Sequence, residues 1–201
     1  MTIRICVEGI MGVGKSSLVK GLQCAENFNV FDEAIMFESE VDNGFLTQIK
    51  FLKSRYNQWR DSLPGMINVY DRSVWSDSVF ARVGFSYGDL SCSEFDLYLE
   101  ARRIFLESSP LPDVIFFLDI ETEQAMSRVK ARGNIDQDVN YGFLLRQKVA
   151  YELFLEDMGA KGVEIVLING SDSKENILDS VLNIVKDFST TLKGKKSEER
   201  N

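Results

Sequence analysis

Residues 9–16 read Gly-Ile-Met-Gly-Val-Gly-Lys-Ser, a G-x-x-x-x-G-K-[ST] segment set between a short apolar run and a stretch with helical periodicity. Glycines at these positions let successive backbone N–H groups turn inward around an anion. The helix that follows adds the positive end of its dipole. The geometry works only when a strand feeds the loop and a helix leaves it, so eight residues already demand a strand–loop–helix unit. A plain glycine turn accounts for Gly12 or Gly14 but has no use for Lys15 and Ser16 at this spacing. The loop therefore predicts a nucleoside-triphosphate site built from Gly9, Met11, Gly12, Val13, Gly14, Lys15, Ser16 and Ser17. ATP would be the donor, with Lys15 on its β- and γ-phosphates and the Ser16 hydroxyl on Mg²⁺.

Beyond the loop, short β-rich apolar runs at 3–7, 29–31, 66–70, 114–118 and 163–168 alternate with helical patterns. Those patterns lie near 16–25, 45–59, 73–83, 93–107, 121–132, 142–158 and 174–188. Such alternation predicts an α/β fold: a five-stranded parallel sheet flanked by helices on both faces. The 201 residues, 44% apolar and 27% charged, suit one globular domain over 1–190. The tail at 191–201 ends KGKKSEERN, has nothing apolar to bury, and is expected to be disordered.

Composition removes several chemistries. The chain has no histidine, which excludes Ser-His-Asp hydrolysis, His-ligated zinc and any imidazole base; a carboxylate must move the proton. A formal net charge of −8 argues against a nucleic-acid polymer as partner. Cys6, Cys24 and Cys92 are odd in number and widely spaced, which favours reduced thiols, read as core filler. No apolar run reaches membrane-span length and no signal peptide opens the sequence, so no membrane association and a cytoplasmic location are expected.

Which acceptor takes the phosphoryl group is addressed by residues 71–81, Asp-Arg-Ser-Val-Trp-Ser-Asp-Ser-Val-Phe-Ala, which follow the apolar run 66–70 and so sit where open parallel sheets bind ligands. This segment resembles the E-R-S-V-Y-S-D signature of the deoxyribonucleoside kinases, the family of deoxycytidine, deoxyguanosine and insect-type multisubstrate kinases, with Asp71 in place of glutamate. The resemblance extends through the glycine-rich loop, through Gln48 to Arg55, and through the arginine segment 128–132. It implies a P-loop kinase fold with an arginine-bearing lid, a deoxynucleoside substrate phosphorylated on its 5′-hydroxyl, and a homodimer.

The resemblance also implies roles. Arg72 would orient the acceptor and steady charge on the transferred group; a helix-capping salt bridge is the structural alternative. Asp71 would help hold Mg²⁺, although aspartate also suits an N-cap. Glu33 lies where the family carries its catalytic glutamate, without the proline that follows it there, and Asp32 is one residue away. Gln48 and Arg55, seven residues apart on one helical face, would read the base together with Asp77. Retaining the Arg55–Asp77 charges favours deoxycytidine or purine deoxynucleosides over thymidine, an interhelical salt bridge being the plain alternative. Phe51 would either narrow the pocket or turn into the core.

Arg128 and Arg132 fall four residues apart, where like charges cost roughly 0.2–0.5 kcal/mol unless an anion sits between them, and would form the lid. Asn134 stands where the family usually has a further arginine. Asp136 would meet the sugar 3′-hydroxyl, and Phe37 is a candidate for stacking on the base, core packing being the equal alternative. A thymidylate-type monophosphate kinase is the competing enzyme, since Asp71-Arg72 fits it as well. A nucleotide-dependent switch is weakened by the absence of an N-K-x-D segment late in the chain.

Overall fold

The computed structural model describes residues 2–34, 44–133 and 139–198, with side chains to residue 188. Five described strands form one all-parallel sheet: β1 (Ile3–Glu8), β2 (Phe28–Phe31), β3 (Ile67–Asp71), β4 (Val114–Asp119) and β5 (Glu164–Asn169), in the order β2-β3-β1-β4-β5. Central β1 pairs on both sides, Ile5 lying opposite Val69 of β3 and Val114 of β4. Strands covered on both faces read as unbroken apolar runs. Val114 through Leu118 are all buried in β4, whereas edge strand β5 leaves Leu167 exposed.

Seven described helices connect and cover the strands: α1 (Lys15–Gln23), α2 (Gly44–Arg60), α3 (Ser78–Tyr87), α4 (Cys92–Glu107), α5 (Thr122–Ala131), α6 (Tyr141–Ala160) and α7 (Lys174–Glu198). α1 packs on α7, while α2, α3, α4, α6 and α5 pack on one another, as right-handed crossovers in this strand order require. Local chemistry fixes several helix starts. Ser91 and Glu94 form a reciprocal capping box before α4, and the Asn140 side chain accepts from the Phe143 N–H at the start of α6. At the end of α2, Trp59 Nε1 donates to the Pro110 carbonyl at 3.2 Å; Trp75 of the signature segment donates to the same oxygen at 3.1 Å. Trp75 is thus a packing residue that anchors the signature against the α4–β4 connection.

From β1 the chain passes to β2 on one side of the sheet, and from β3 it passes to β4 on the other. This reversal opens a crevice at the carboxyl ends of β1 and β3. Both the glycine-rich loop and residues 71–77 fall there.

Three expectations change. The helix expected from residue 73 begins at Ser78, because Arg72 takes a left-handed backbone (φ 65°) and Ser73 and Ser76 bond each other's backbone. α7 runs on to Glu198, past residue 188 where the periodicity places its end. Only Cys6 is buried; Cys24 and Cys92 are exposed, and all three are free thiols. Among the described residues, no helix is long and apolar enough to cross a membrane.

Candidate active site

The loop between β1 and α1 is held tightly from both sides. Gly9 (φ 142°) passes so close to the Leu118 carbonyl that a Cβ would sit 2.6 Å from its oxygen, and Gly12 (φ 89°) approaches Ala125 O equally closely. Only glycine permits these approaches. Lys15 Nζ donates to the carbonyls of Gly9 and Ile10, each at 3.0 Å, so the ammonium lies folded across the loop entrance. Burial, with the Arg72 guanidinium beside it, pulls that ammonium down to about 7.

Ser16 Oγ donates to Asp71 Oδ2 at 2.7 Å, joining the first turn of α1 to the end of β3. Asp71 Oδ1 is buried with no hydrogen-bond partner, and burial raises the carboxyl above its ordinary value. Orphaned carboxylate oxygen beside a hydroxyl is a hard-donor pair suited to Mg²⁺, which takes few protein ligands and fills its octahedron with water and phosphate oxygens. The residues therefore fit the ion the motif implies.

Arg72 leaves the sheet in a conformation rare for a residue with a Cβ, at a cost of order 1 kcal/mol or more. Three contacts hold it. Its backbone N–H donates to Val7 O at 3.1 Å, its guanidinium lies 4.4 Å over the Phe80 ring, and it forms an ion pair with Glu33. Beneath it, the fully buried Glu8 accepts from Ser73 N and Ser73 Oγ, both at 3.1 Å, and from the Tyr151 hydroxyl at 3.2 Å. Burial lifts the Glu8 carboxyl above the usual carboxylate range. The guanidinium thus lies against Phe80 of α3 and pairs with Glu33.

Glu33 shares a cavity of about 530 Å³ with Ser16, Lys20, Asp32, Phe51 and Asp71. Its carboxylate reaches Arg72, whereas neighbouring Asp32 is exposed and is tied down by Gln58 Nε2 donating to its backbone carbonyl. Phe51 faces this cavity rather than the core. A second cavity of about 480 Å³ is lined by Gln48, Phe80, Tyr87, Asn140 and Phe143 among others. Gln48 Oε1 is buried there without a partner, an acceptor waiting for a donor.

Arg55 and Asp77 line neither cavity. They form a buried ion pair, with the Arg55 guanidinium 5.1 Å over Phe51 and 5.7 Å over Phe80, the rings that wall the two spaces. Asp77 also accepts from the Tyr98 hydroxyl at 2.5 Å, so it spends its oxygens on Arg55 and Tyr98 and gives no side-chain cap to α3.

On the donor side, Gly12, Val13, Gly14, Ser17, Arg128 and Arg132 line a cavity of about 420 Å³ closed by Gly170, Asp172 and Lys174. Arg128 donates to Val13 O at 3.1 Å and to Gly170 O at 2.9 Å, and Arg132, at the end of α5, is exposed beside the loop. The two calls on Phe37 and Asp136 lie outside the described residues. Four site residues went unnoticed in the sequence: Glu8, Phe80, Tyr98 and Tyr151.

The glycine-rich loop, the Ser16–Asp71 pair and the arginine-bound Glu33 carboxylate thus gather at the carboxyl ends of β1 and β3. A family model for deoxynucleoside kinases matches residues 5–190, and the chain belongs to that family of phosphotransferases. It is similar to a deoxyguanosine kinase of Dictyostelium discoideum, 28% identical over 179 residues, which is 82% of this chain but only 63% of that protein. A deoxyadenosine/deoxycytidine kinase of Bacillus subtilis is 26% identical over 202 residues, 91% of this chain and 93% of that protein. Among solved structures, a deoxyadenosine kinase from M. mycoides with bound dCTP superposes with a TM-score of 0.78 at 18% identity, covering 92% of this chain and 100% of that one. That last likeness concerns the fold.

Proposed function

We propose that this chain transfers the γ-phosphoryl group of ATP to the 5′-hydroxyl of a deoxyribonucleoside, with deoxycytidine and purine deoxynucleosides favoured over thymidine. One observation carries the reading: a single cavity brings the Glu33 carboxylate, held by Arg72, together with the Ser16–Asp71 pair. A base for the acceptor hydroxyl thus stands beside the groups that handle phosphate and metal.

In this reading Glu33 accepts the proton as the 5′-oxygen attacks the γ-phosphorus in line. Arg72 and Lys15 meet the charge spreading over the transferred group. Mg²⁺, held by Ser16 and Asp71, would neutralise donor phosphate charge. Arg132, exposed beside the donor cavity, serves with Arg128 as the lid, and the residues lining the second cavity take the base, Gln48 Oε1 accepting from an exocyclic amino group. Thymine has no such amino group, and this supports the preference against thymidine.

The proposal extends to a single domain over 1–190, supported by the matched span 5–190, and to a homodimer. Leu97 and Ile104 of α4, and Leu145, Val149 and Leu153 of α6, stand exposed at one-face spacing and would suit a self-interface. A cytosolic setting accords with the three free cysteines.

The test is Mg-ATP consumption with deoxycytidine, deoxyadenosine, deoxyguanosine and thymidine, beside their 5′-monophosphates. Turnover with nucleosides, thymidine lowest, is expected; turnover with monophosphates alone would overturn the reading. The base assignment has its own check. Arg55→Met with Asp77→Ala removes both charges together, leaving no uncompensated buried ion, and is expected to raise thymidine use relative to deoxycytidine by about 10-fold or more. An unchanged ranking would remove Arg55 and Asp77 from base recognition.

A further inference from the structure

Arg72 keeps its left-handed backbone between two tethered peptide groups. Its own N–H donates to Val7 O at 3.1 Å, and the next N–H, that of Ser73, donates to Glu8 Oε1 at 3.1 Å. Peptide groups are planar, so tethering the one before a residue and the one after it constrains both soft torsions of that residue. Consecutive residues of β1 thus set the φ of 65° from which the guanidinium departs towards Phe80 and Glu33. Val7 acts through its backbone carbonyl, which any residue supplies. Glu8 acts through its side chain, so the second tether depends on residue type.

Burying a carboxylate is costly unless its oxygens are hydrogen-bonded, and Glu8 is fully buried. Packing alone calls for an apolar side chain, as at Ile5 and Val7 of the same strand. At Glu8 three donors converge instead: Ser73 N–H and Ser73 Oγ–H on Oε1, both at 3.1 Å, and the Tyr151 hydroxyl of α6 on Oε2 at 3.2 Å. Donors arriving at two ends of one group call for the two acceptor oxygens of a carboxylate, where an amide offers one. A strained backbone persists only where its surroundings over-determine it. Glu8 supplies the part of those surroundings that holds the residue directly after Arg72.

We propose that Glu8 is a positioning residue for phosphoryl transfer: steadied at Oε2 by Tyr151, it holds Ser73 through Oε1 and so keeps Arg72 in the conformation that carries the guanidinium to Glu33. The inference rests on the reading of Arg72 as the group that meets the transferred phosphoryl. Glu8 ends β1 directly before Gly9, so one residue joins the start of the glycine-rich loop to the placement of the arginine. Its reach, not its charge, carries the role.

The experiment compares Glu8→Asp, which draws both oxygens back by one methylene, with Glu8→Gln, which keeps length and an acceptor for Ser73. Each is made in the wild-type and in the Arg72→Met background, and kcat and both KM values are measured with unfolding controls. Glu8→Asp is expected to lower kcat about 30-fold with both KM values within about threefold. Where Arg72 is already replaced, the same change is expected to lower kcat by less than about threefold, because Glu8 acts through the arginine. Glu8→Gln is expected to stay within about fivefold of wild type. Should Glu8→Asp not fold, Ser73→Ala, which removes the Oγ–H donor and leaves the backbone N–H, is expected to lower kcat about fivefold with the same dependence on Arg72. Unchanged kcat in Glu8→Asp, or in Ser73→Ala where that variant stands alone, would overturn the proposal. So would an equal fall in both backgrounds, the mark of a merely structural residue, or a loss in Glu8→Gln as large as in Glu8→Asp, which would make charge the operative property. Wild-type protein without nucleoside-dependent consumption of Mg-ATP would instead remove the proposed function, and this inference with it.

Discussion

Glu33→Gln is expected to lower kcat by about 10²–10⁴-fold, the range that general-base assistance supplies, while nucleoside KM changes little. The substitution keeps shape and hydrogen-bonding reach but removes the group proposed to take the 5′-proton. Glutamine oxygen still accepts from Arg72, so the arginine stays positioned and the loss reports proton transfer rather than collapse of the site. The chain has no histidine to substitute, and Asp32, which lines the same cavity, is exposed and is not the carboxylate paired with Arg72. Steady-state kinetics with unfolding controls checks it; near-normal turnover would sink the assignment of the base.

Arg72→Met is the second large effect, a fall in kcat of about 10²–10³-fold, comparable to removing one preorganised donor from a developing anion. Methionine retains much of the packing against Phe80 but loses the guanidinium that pairs with Glu33 and is proposed to meet the transferred group. Arg72→Lys is expected to restore only part of the rate, since an ammonium on a flexible stem reproduces charge but not the planar fork. Full restoration by lysine would show that Arg72 supplies only a diffuse positive field. The left-handed backbone at this residue fits a functional constraint: the fold tolerates strain where the guanidinium must leave the sheet towards Glu33.

Elements whose chemistry is local were legible in the sequence. The glycine-rich loop announces itself because spacing, strand and helix lie within some twenty residues, and the strands of the sheet read as apolar runs because they are covered on both faces. The resemblance pairs Arg55 with Asp77, and the structure joins them. It also places them behind Phe51 and Phe80 instead of in the open cavity, a distinction that depends on rotamers and not on spacing.

Residues that act through tertiary contact were not legible. Glu8 reads as the ordinary end of a strand; only the fold brings Ser73 and Tyr151 to its two oxygens from 65 and 143 positions away. Tyr98 resembles any aromatic on the buried face of α4 until Asp77 meets its hydroxyl. The start of α3 was misplaced because helical propensity of residues 73–77 lost to serine side chains that bond the backbone locally, and to a left-handed Arg72 that sequence pattern does not reveal.

The central claim is that the acceptor atom is the nucleoside 5′-oxygen, and the most direct measurement is identification of products by mass spectrometry after incubation with Mg-ATP and deoxycytidine or deoxyadenosine, beside the matching 2′,5′-dideoxynucleoside. The account predicts ADP and deoxynucleoside 5′-monophosphate in equal amounts, and neither above background with the analogue lacking the 5′-hydroxyl. ADP formed equally with the analogue, or phosphate transferred only to nucleotides already carrying a 5′-phosphate, would contradict it.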